Sequence, residues 1–134
     1  MIAVDTSIVV AAFASWHEGH RTAAAALARK PRAPAHVLIE SYSVLTRLPA
    51  PHRAPAPIVA EFLSAVFKEL PLLLPPRDQQ LLIREAVAAG LSGGSIYDAL
   101  IGATARHAGA QLLTRDRRAL TVYQTLGVRH ELLG

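Results

Sequence analysis

The sequence predicts an α/β fold in which helices cover a parallel sheet, and three observations lead to it. The chain opens on a short apolar run, Ile2-Ala3-Val4, which Asp5-Thr6-Ser7 ends. Its last third alternates helix, strand, helix and strand patterns, the arrangement that crossover helices between parallel strands require. The third observation is size, since 134 residues with 51% hydrophobic content can build a real core. Domains cluster at ~100–150 residues, and one of this length buries roughly 68% of the surface its unfolded chain exposes. One domain over residues 1–134 is expected.

Each element has a local reason. A buried strand over Ile2–Val4 leads into a helix from about Ser7 to Ala14. His20 to Arg29 is Ala-rich and helical. Ala35 to Leu48 repeats apolar residues at helical spacing, at Val37, Leu38, Val44, Leu45 and Leu48. Pro49 to Pro57 reads as a stiff connection, and Pro57 suits the first turn of a helix running to Leu70. Leu72-Leu73-Leu74 fits a short strand. A helix from Asp78 to Ala89 stops at Gly90, and one from Ser95 to Ala108 stops at Gly109. Gln111 to Thr114 is a strand, Arg117 to Leu126 a helix ended by Gly127, and Val128 to Leu132 a last short strand.

Composition removes several classes of function. Without Cys there is neither a disulfide scaffold nor a Cys-based zinc site. The longest strictly apolar run, Ile8 to Ala14, is too short to span a bilayer. Nor does the N-terminus read as a signal peptide, because no Lys or Arg precedes Arg21 and Asp5 interrupts the apolar stretch. A soluble cytoplasmic protein is expected. The net charge is +4, with Lys30 and Lys68 the only lysines and the other basic residues all Arg. Arg's planar fork suits phosphate, which points mildly to a polyanionic partner, although a coding bias toward Arg gives the same count. Aromatic residues are 5% of the chain, which argues against a base-stacking platform.

In a parallel sheet, ligands bind beyond the carboxyl ends of the strands, and Asp5 and Asp116 fall there. Taken singly, each is also a good helix N-cap. Asp98 either completes a capping box with Ser95 or points into the cleft from the first turn of its helix, where Gly102 leaves its flank uncrowded. Glu40 shares a helix face with Val37 and Val44, a costly place for a carboxylate without a partner or a cation. Arg47, or a rotation toward solvent, is the alternative. His17-Glu18-Gly19-His20 does not have the four-residue His spacing of a zinc helix and reads as a solvated loop. Gly90 to Ser95 lacks the Lys of a P-loop, and no Ser-His-Asp signature appears.

Four segments together carry a resemblance: Val4-Asp5-Thr6-Ser7, Leu38-Ile39-Glu40-Ser41, Tyr97-Asp98-Ala99-Leu100-Ile101 and Thr114-Arg115-Asp116. In this order, each at its element, they resemble the PIN-domain family, and within it the VapC-type toxins of bacterial toxin–antitoxin pairs. The resemblance runs from Ile2 to about Val128. It implies a three-layer α/β/α sandwich with a mostly parallel central sheet. It also implies an Mg²⁺- or Mn²⁺-dependent endoribonuclease that cuts tRNA or ribosomal RNA. Asp5, Glu40, Asp98 and Asp116 carry over as the acidic cluster, with Asp5, Asp98 and Asp116 as metal ligands. Thr6 or Ser7, and Thr114, carry over as supporting hydroxyls. A homodimer and a small VapB-like antitoxin are the implied partners. Where some members have a further acid, Arg117 and Arg118 follow Asp116, which leaves a second metal without that ligand. Arg115, Arg117 and Arg118 stand where they can hold RNA phosphates, or simply be solvated. A catalytically silent RNA-binding module is the alternative function, and four acids without a task argue against it. A receiver-like phosphoacceptor needs a Lys at a late strand end, which this chain lacks.

Overall fold

A computed structural model describes all 134 residues. Strands β1 (Ile2–Val4), β2 (Gln111–Thr114) and β3 (His130–Leu132) form one parallel sheet in the order β1-β2-β3. Between β1 and β2 lie α1 (Thr6–Phe13), α2 (His20–Ala28), α3 (Ala35–Thr46), α4 (Ala56–Val66), α5 (Pro76–Ala89) and α6 (Ser95–His107). A 3₁₀ turn (Arg117–Ala119) and α7 (Leu120–Thr125) connect β2 to β3. Successive strand residues face opposite sides of a sheet. Leu112 and Leu113 of the central strand are both wholly buried, as are Ala3 and Val4 of β1. Both faces of the sheet are therefore covered, the α/β/α layering that the resemblance implies.

The main core joins Ile8 and Val9 of α1, Val37 of α3, Ile101 of α6 and Tyr123 of α7 to the sheet. The Ala-rich α2 buries Ala23 and Ala26, small enough to let α1 approach closely. A smaller cluster of Leu45, Ala54 and Val59 lies beneath the Pro49–Pro57 segment, which folds back so that the Ala54 amide donates to the Leu45 carbonyl at 3.0 Å.

Three expectations need correction. Leu72-Leu73-Leu74 is not a strand: Leu72 makes one isolated bridge to Pro34, and Leu73 faces solvent. Three residues between Pro71 and Pro75 cannot extend a ladder. The helix expected over Arg117–Leu126 opens as a 3₁₀ turn, because Asp116 caps it at once. The last strand starts at His130 rather than Val128, since Gly127 adopts a left-handed turn and the Val128 amide is bonded to the Tyr123 carbonyl.

Candidate active site

The sheet's carboxyl edge sets the site. In register, Val4 pairs with Leu113, and the Asp5 amide donates to the Leu113 carbonyl, so Asp5 and Thr114 emerge side by side. Asp5 is 3% exposed. Its Oδ1 accepts from the Ser7 amide at 3.1 Å, which caps α1, and also from Ser7 Oγ. Its Oδ2 accepts from the Tyr123 hydroxyl at 2.9 Å. Burial raises the Asp5 pKa, against the hydrogen bonds from Ser7, Thr114 and Tyr123 that lower it. Burial first, and then the charge of Asp5, drive the Tyr123 phenol well above its ordinary range, so it remains a donor.

A line of hydroxyls ties Asp5 to Asp116. The Asp116 amide donates to Thr114 Oγ1 at 3.0 Å, and Thr114 Oγ1 lies 3.5 Å from Ser7 Oγ. Ser7 Oγ also accepts the Arg115 amide at 2.8 Å. Asp116 Oδ1 in turn accepts the Arg118 amide at 2.9 Å, capping the 3₁₀ turn. For Asp5 and Asp116, cap and cluster are thus compatible, since a carboxylate has two oxygens. The Thr6 hydroxyl is buried without a partner.

Asp98 is half-buried in the first turn of α6, and the capping box, one of its two readings, does not form. Gly94 is the N-cap, and Ser95 Oγ donates instead to the Ser92 carbonyl at 2.8 Å. The Asp98 pKa is pushed up to about 6, first by burial and then by the charges of Asp116, Asp5 and Glu40, with Arg118 opposing. The four acids therefore share one electrostatic field. No three of them, however, form a ready-made metal cage. Charge repulsion reaches farther than a ligand bond. Mg²⁺ takes only one or two carboxylates and keeps several waters, so this open, all-oxygen donor set fits a hard divalent ion.

Glu40 does not pair with Arg47, whose Nε donates to Ser43 Oγ at 3.3 Å. Its partner is His36, with Nε2 at 3.3 Å from Glu40 Oε2. The His36 ring stacks on Tyr97 at a centroid distance of 5.1 Å and an interplanar angle of 2°, which joins the helix of Glu40 to that of Asp98. Sequence reasoning passed over His36, Tyr97 and Tyr123. The four-residue spacing of His36 and Glu40 was the available signal for the first. Gly102 makes room for Tyr123 rather than Asp98: a Cβ there would lie 3.0 Å from the Tyr123 ring.

The three arginines differ. Arg117 and Arg118 are exposed, and Arg118 Nε lies 3.7 Å from Asp116. The Arg115 side chain runs inward, with its guanidinium packed directly on Gly19 and its Nε buried without a partner. His17 and His20 bind backbone groups and do not converge on a metal. A cavity of about 590 Å³ lies elsewhere, lined by Leu27, Arg32, Phe67 and Lys68 among others, and contains none of the four acids.

The PIN-domain family model matches residues 2–124. The chain belongs to the PIN-domain family. This PIN domain is 47% identical to "Ribonuclease VapC40" of Mycobacterium tuberculosis over 99% of both chains. It is 38% identical to "Ribonuclease VapC27" of the same species, over 95% of this chain and 93% of the relative. A crystal structure of PAE2754 from Pyrobaculum aerophilum shares the fold, with a TM-score of 0.58 and 22% identity over 93% of this PIN domain and 92% of that chain. No helix is long and apolar enough to cross a membrane.

Proposed function

We propose that this protein is a divalent-metal-dependent endoribonuclease, the VapC-type toxin of a toxin–antitoxin pair. The observation that carries the reading is the gathering of Asp5, Glu40, Asp98 and Asp116 around one cleft, where burial first and then the charges of Asp116, Asp5 and Glu40 raise the Asp98 pKa. Holding four carboxylates near one another is costly unless a cation is part of the working state. The ribonuclease names of full-length relatives at 47% and 38% identity support the same reading.

Asp5, Asp98 and Asp116 would hold the ion. When bound, Mg²⁺ or Mn²⁺ supplies charge neutralisation at a phosphodiester and lowers the pKa of a water. The chain's own residues do the rest. Tyr123 and Ser7 fix the Asp5 carboxylate, so that its orientation is set before any ligand arrives. Glu40, held by His36, contributes to the same field and would accept a proton from the attacking water. Arg117 and Arg118 are exposed beside Asp116, and their guanidinium groups would bind the RNA backbone. Attack by water on phosphorus leaves a 5′-phosphate and a 3′-hydroxyl. The substrate class is structured RNA such as tRNA or ribosomal RNA, and the partners are a VapB-like antitoxin and a second copy of the chain.

The test is cleavage of a structured RNA pool by purified protein in EDTA, followed by added Mg²⁺ or Mn²⁺. Chelation is expected to abolish cleavage and either ion to restore it. Full activity in EDTA overturns the metal mechanism and shifts attention to general acid–base chemistry by histidine.

A further inference from the structure

Away from the four acids, the chain's one tryptophan makes an unusual contact. Trp16, in the loop between α1 and α2, stacks on His52, in the loop between α3 and α4, with centroids 4.0 Å apart and planes 30° from parallel. His17 lies beside it at 5.9 Å. His52 covers part of the indole, yet Trp16 remains 51% exposed. An indole is normally buried or used, because its large apolar surface is costly to leave in water.

Both loops are held. The His17 amide donates to the Ala14 carbonyl at 2.9 Å, the Gly19 amide to His17 Nδ1 at 2.9 Å, and the His20 amide to the His17 carbonyl at 3.1 Å. In the second loop, the His52 amide donates to the Pro49 carbonyl at 3.0 Å, and Arg53 Nε donates to the Leu48 carbonyl at 2.9 Å. The two segments are basic in sequence: Arg47 and Arg53 stand on either side of His52 with no acid between them, Arg21 follows the first loop, and Glu18 is the only acid in either segment. Arg115 connects this surface to the acids. Its amide donates to Ser7 Oγ, which bonds Asp5, and its guanidinium lies on Gly19, three residues from Trp16.

We infer that the Trp16–His52 stack is a base-stacking site for single-stranded RNA, which positions a nucleotide flanking the scissile bond. An exposed aromatic face on segments rich in arginine is the surface that an unstacked base and its phosphate recognise, and it accepts any base. The low aromatic content of the chain argued against a platform, but two rings from distant loops suffice for one base. The inference rests on the ribonuclease reading for its purpose and stands apart from it for its test, which measures binding.

Because the chain has a single Trp, its emission reports this site alone. Asp98→Asn protein is titrated with a fluorescein-labelled single-stranded RNA of about 12 nucleotides. Label anisotropy reads total binding, and tryptophan emission is read with unlabelled RNA. Saturable quenching with the same midpoint as the anisotropy is expected. Trp16→Ala is expected to weaken binding about tenfold, the loss of one base stack, His52→Ala to weaken it less, and Trp16→Phe to restore most of it. Thermal melts check that each variant is folded. Unquenched emission while anisotropy saturates places RNA elsewhere and overturns the platform, leaving the nuclease reading intact. Equal affinity of parent and folded Trp16→Ala also overturns it and assigns the stack to a protein contact or to loop stability. An absence of any binding overturns it as well. Cleavage lost in EDTA but unchanged in Trp16→Ala separates the two readings from the other side.

Discussion

The Tyr123 hydroxyl donates to Asp5 Oδ2 at 2.9 Å, joining residues 118 apart in the chain inside the core. It satisfies the one oxygen of a buried carboxylate that the start of α1 cannot reach, and Gly102 makes the space for its ring. Tyr123→Phe leaves that oxygen buried and unpaired. Stability is expected to fall by about 1.5–3 kcal/mol, the usual worth of a hydrogen bond to a charged group. The Tyr123 bond lowers the Asp5 pKa, so its loss raises that pKa further. A carboxyl raised in the folded state penalises folding once it ionises, so the deficit should be larger near neutrality than in the ordinary carboxylate range. Urea unfolding at both pH values checks this. Parent-like stability of Tyr123→Phe at neutral pH would show that the bond does not hold Asp5.

Arg115 on Gly19 gives a second expectation. A Cβ at Gly19 would overlap the Arg115 Cζ, so Gly19→Ala must displace the guanidinium. The displaced group is the end of a flexible side chain, which keeps the cost near ~1 kcal/mol, at the low end for overpacking. In an Arg115→Ala background the clash is gone and Gly19→Ala should be close to neutral. A double-mutant cycle measured by chemical unfolding reads the difference. Equal costs in both backgrounds would place Arg115 away from Gly19 in solution.

How far the sequence reveals this arrangement depends on the range of the interaction. Asp5 and Asp116 are legible because each ends an apolar run, and Gln111 to Thr114 is a strand with the expected bounds. The helices are legible to within a few residues because caps and apolar spacing are local. Leu72 misleads because an apolar triplet says nothing about the prolines that isolate it. The contacts that shape the site are a different matter. Tyr123 on Asp5, Ser7 beside Thr114 and Trp16 on His52 each join segments far apart in sequence and leave no periodic trace. His36 with Glu40 is the exception, a pair at helix spacing that the apolar face of Val37 and Val44 hides. The capping box at Ser95 fails for a local reason: α6 starts one residue earlier than the box requires, with Gly94 at the cap.

Arg117 and Arg118 are expected to bind phosphate. Both are exposed, and the Arg118 side chain is 96% accessible, which leaves it free to reach an RNA backbone. Each true phosphate contact on a single strand contributes ~0.7 to the salt slope of log K. Arg117→Ala and Arg118→Ala should each lower the slope by about that amount while Mg²⁺ binding is retained. Affinity measured over a range of salt concentrations tests this. Unchanged slopes in both variants would mean that these arginines are solvated and nothing more.

Asp98→Asn separates the cleft role from a merely helical one. In the metal-free protein the Asp98 pKa is about 6, against an ordinary 3.8, because burial and the charges of Asp116, Asp5 and Glu40 disfavour its ionised form. Between these values the folded state binds more protons than the unfolded state. Stability therefore falls as pH rises through this window, and the penalty is complete above it. Asp98 is half-buried, so solvent screening reduces the penalty to about 1–2 kcal/mol. Asn carries no charge. In EDTA the variant should thus match or exceed the parent's stability near neutrality, and its stability should change less with pH across the window. Added Mg²⁺ should stabilise the parent through preferential binding to the folded state, and the variant less. Cleavage should be lost. If Asp98 serves only as a first-turn acid facing the helix dipole, the opposite pattern follows: a loss of about 0.3–1 kcal/mol near neutrality, with activity kept. Thermal melts of both proteins in EDTA and in Mg²⁺ across the window, with one cleavage assay, distinguish the two. A destabilised Asp98→Asn that still cuts RNA removes Asp98 from the site and, with it, the shared field on which the four-acid assignment depends.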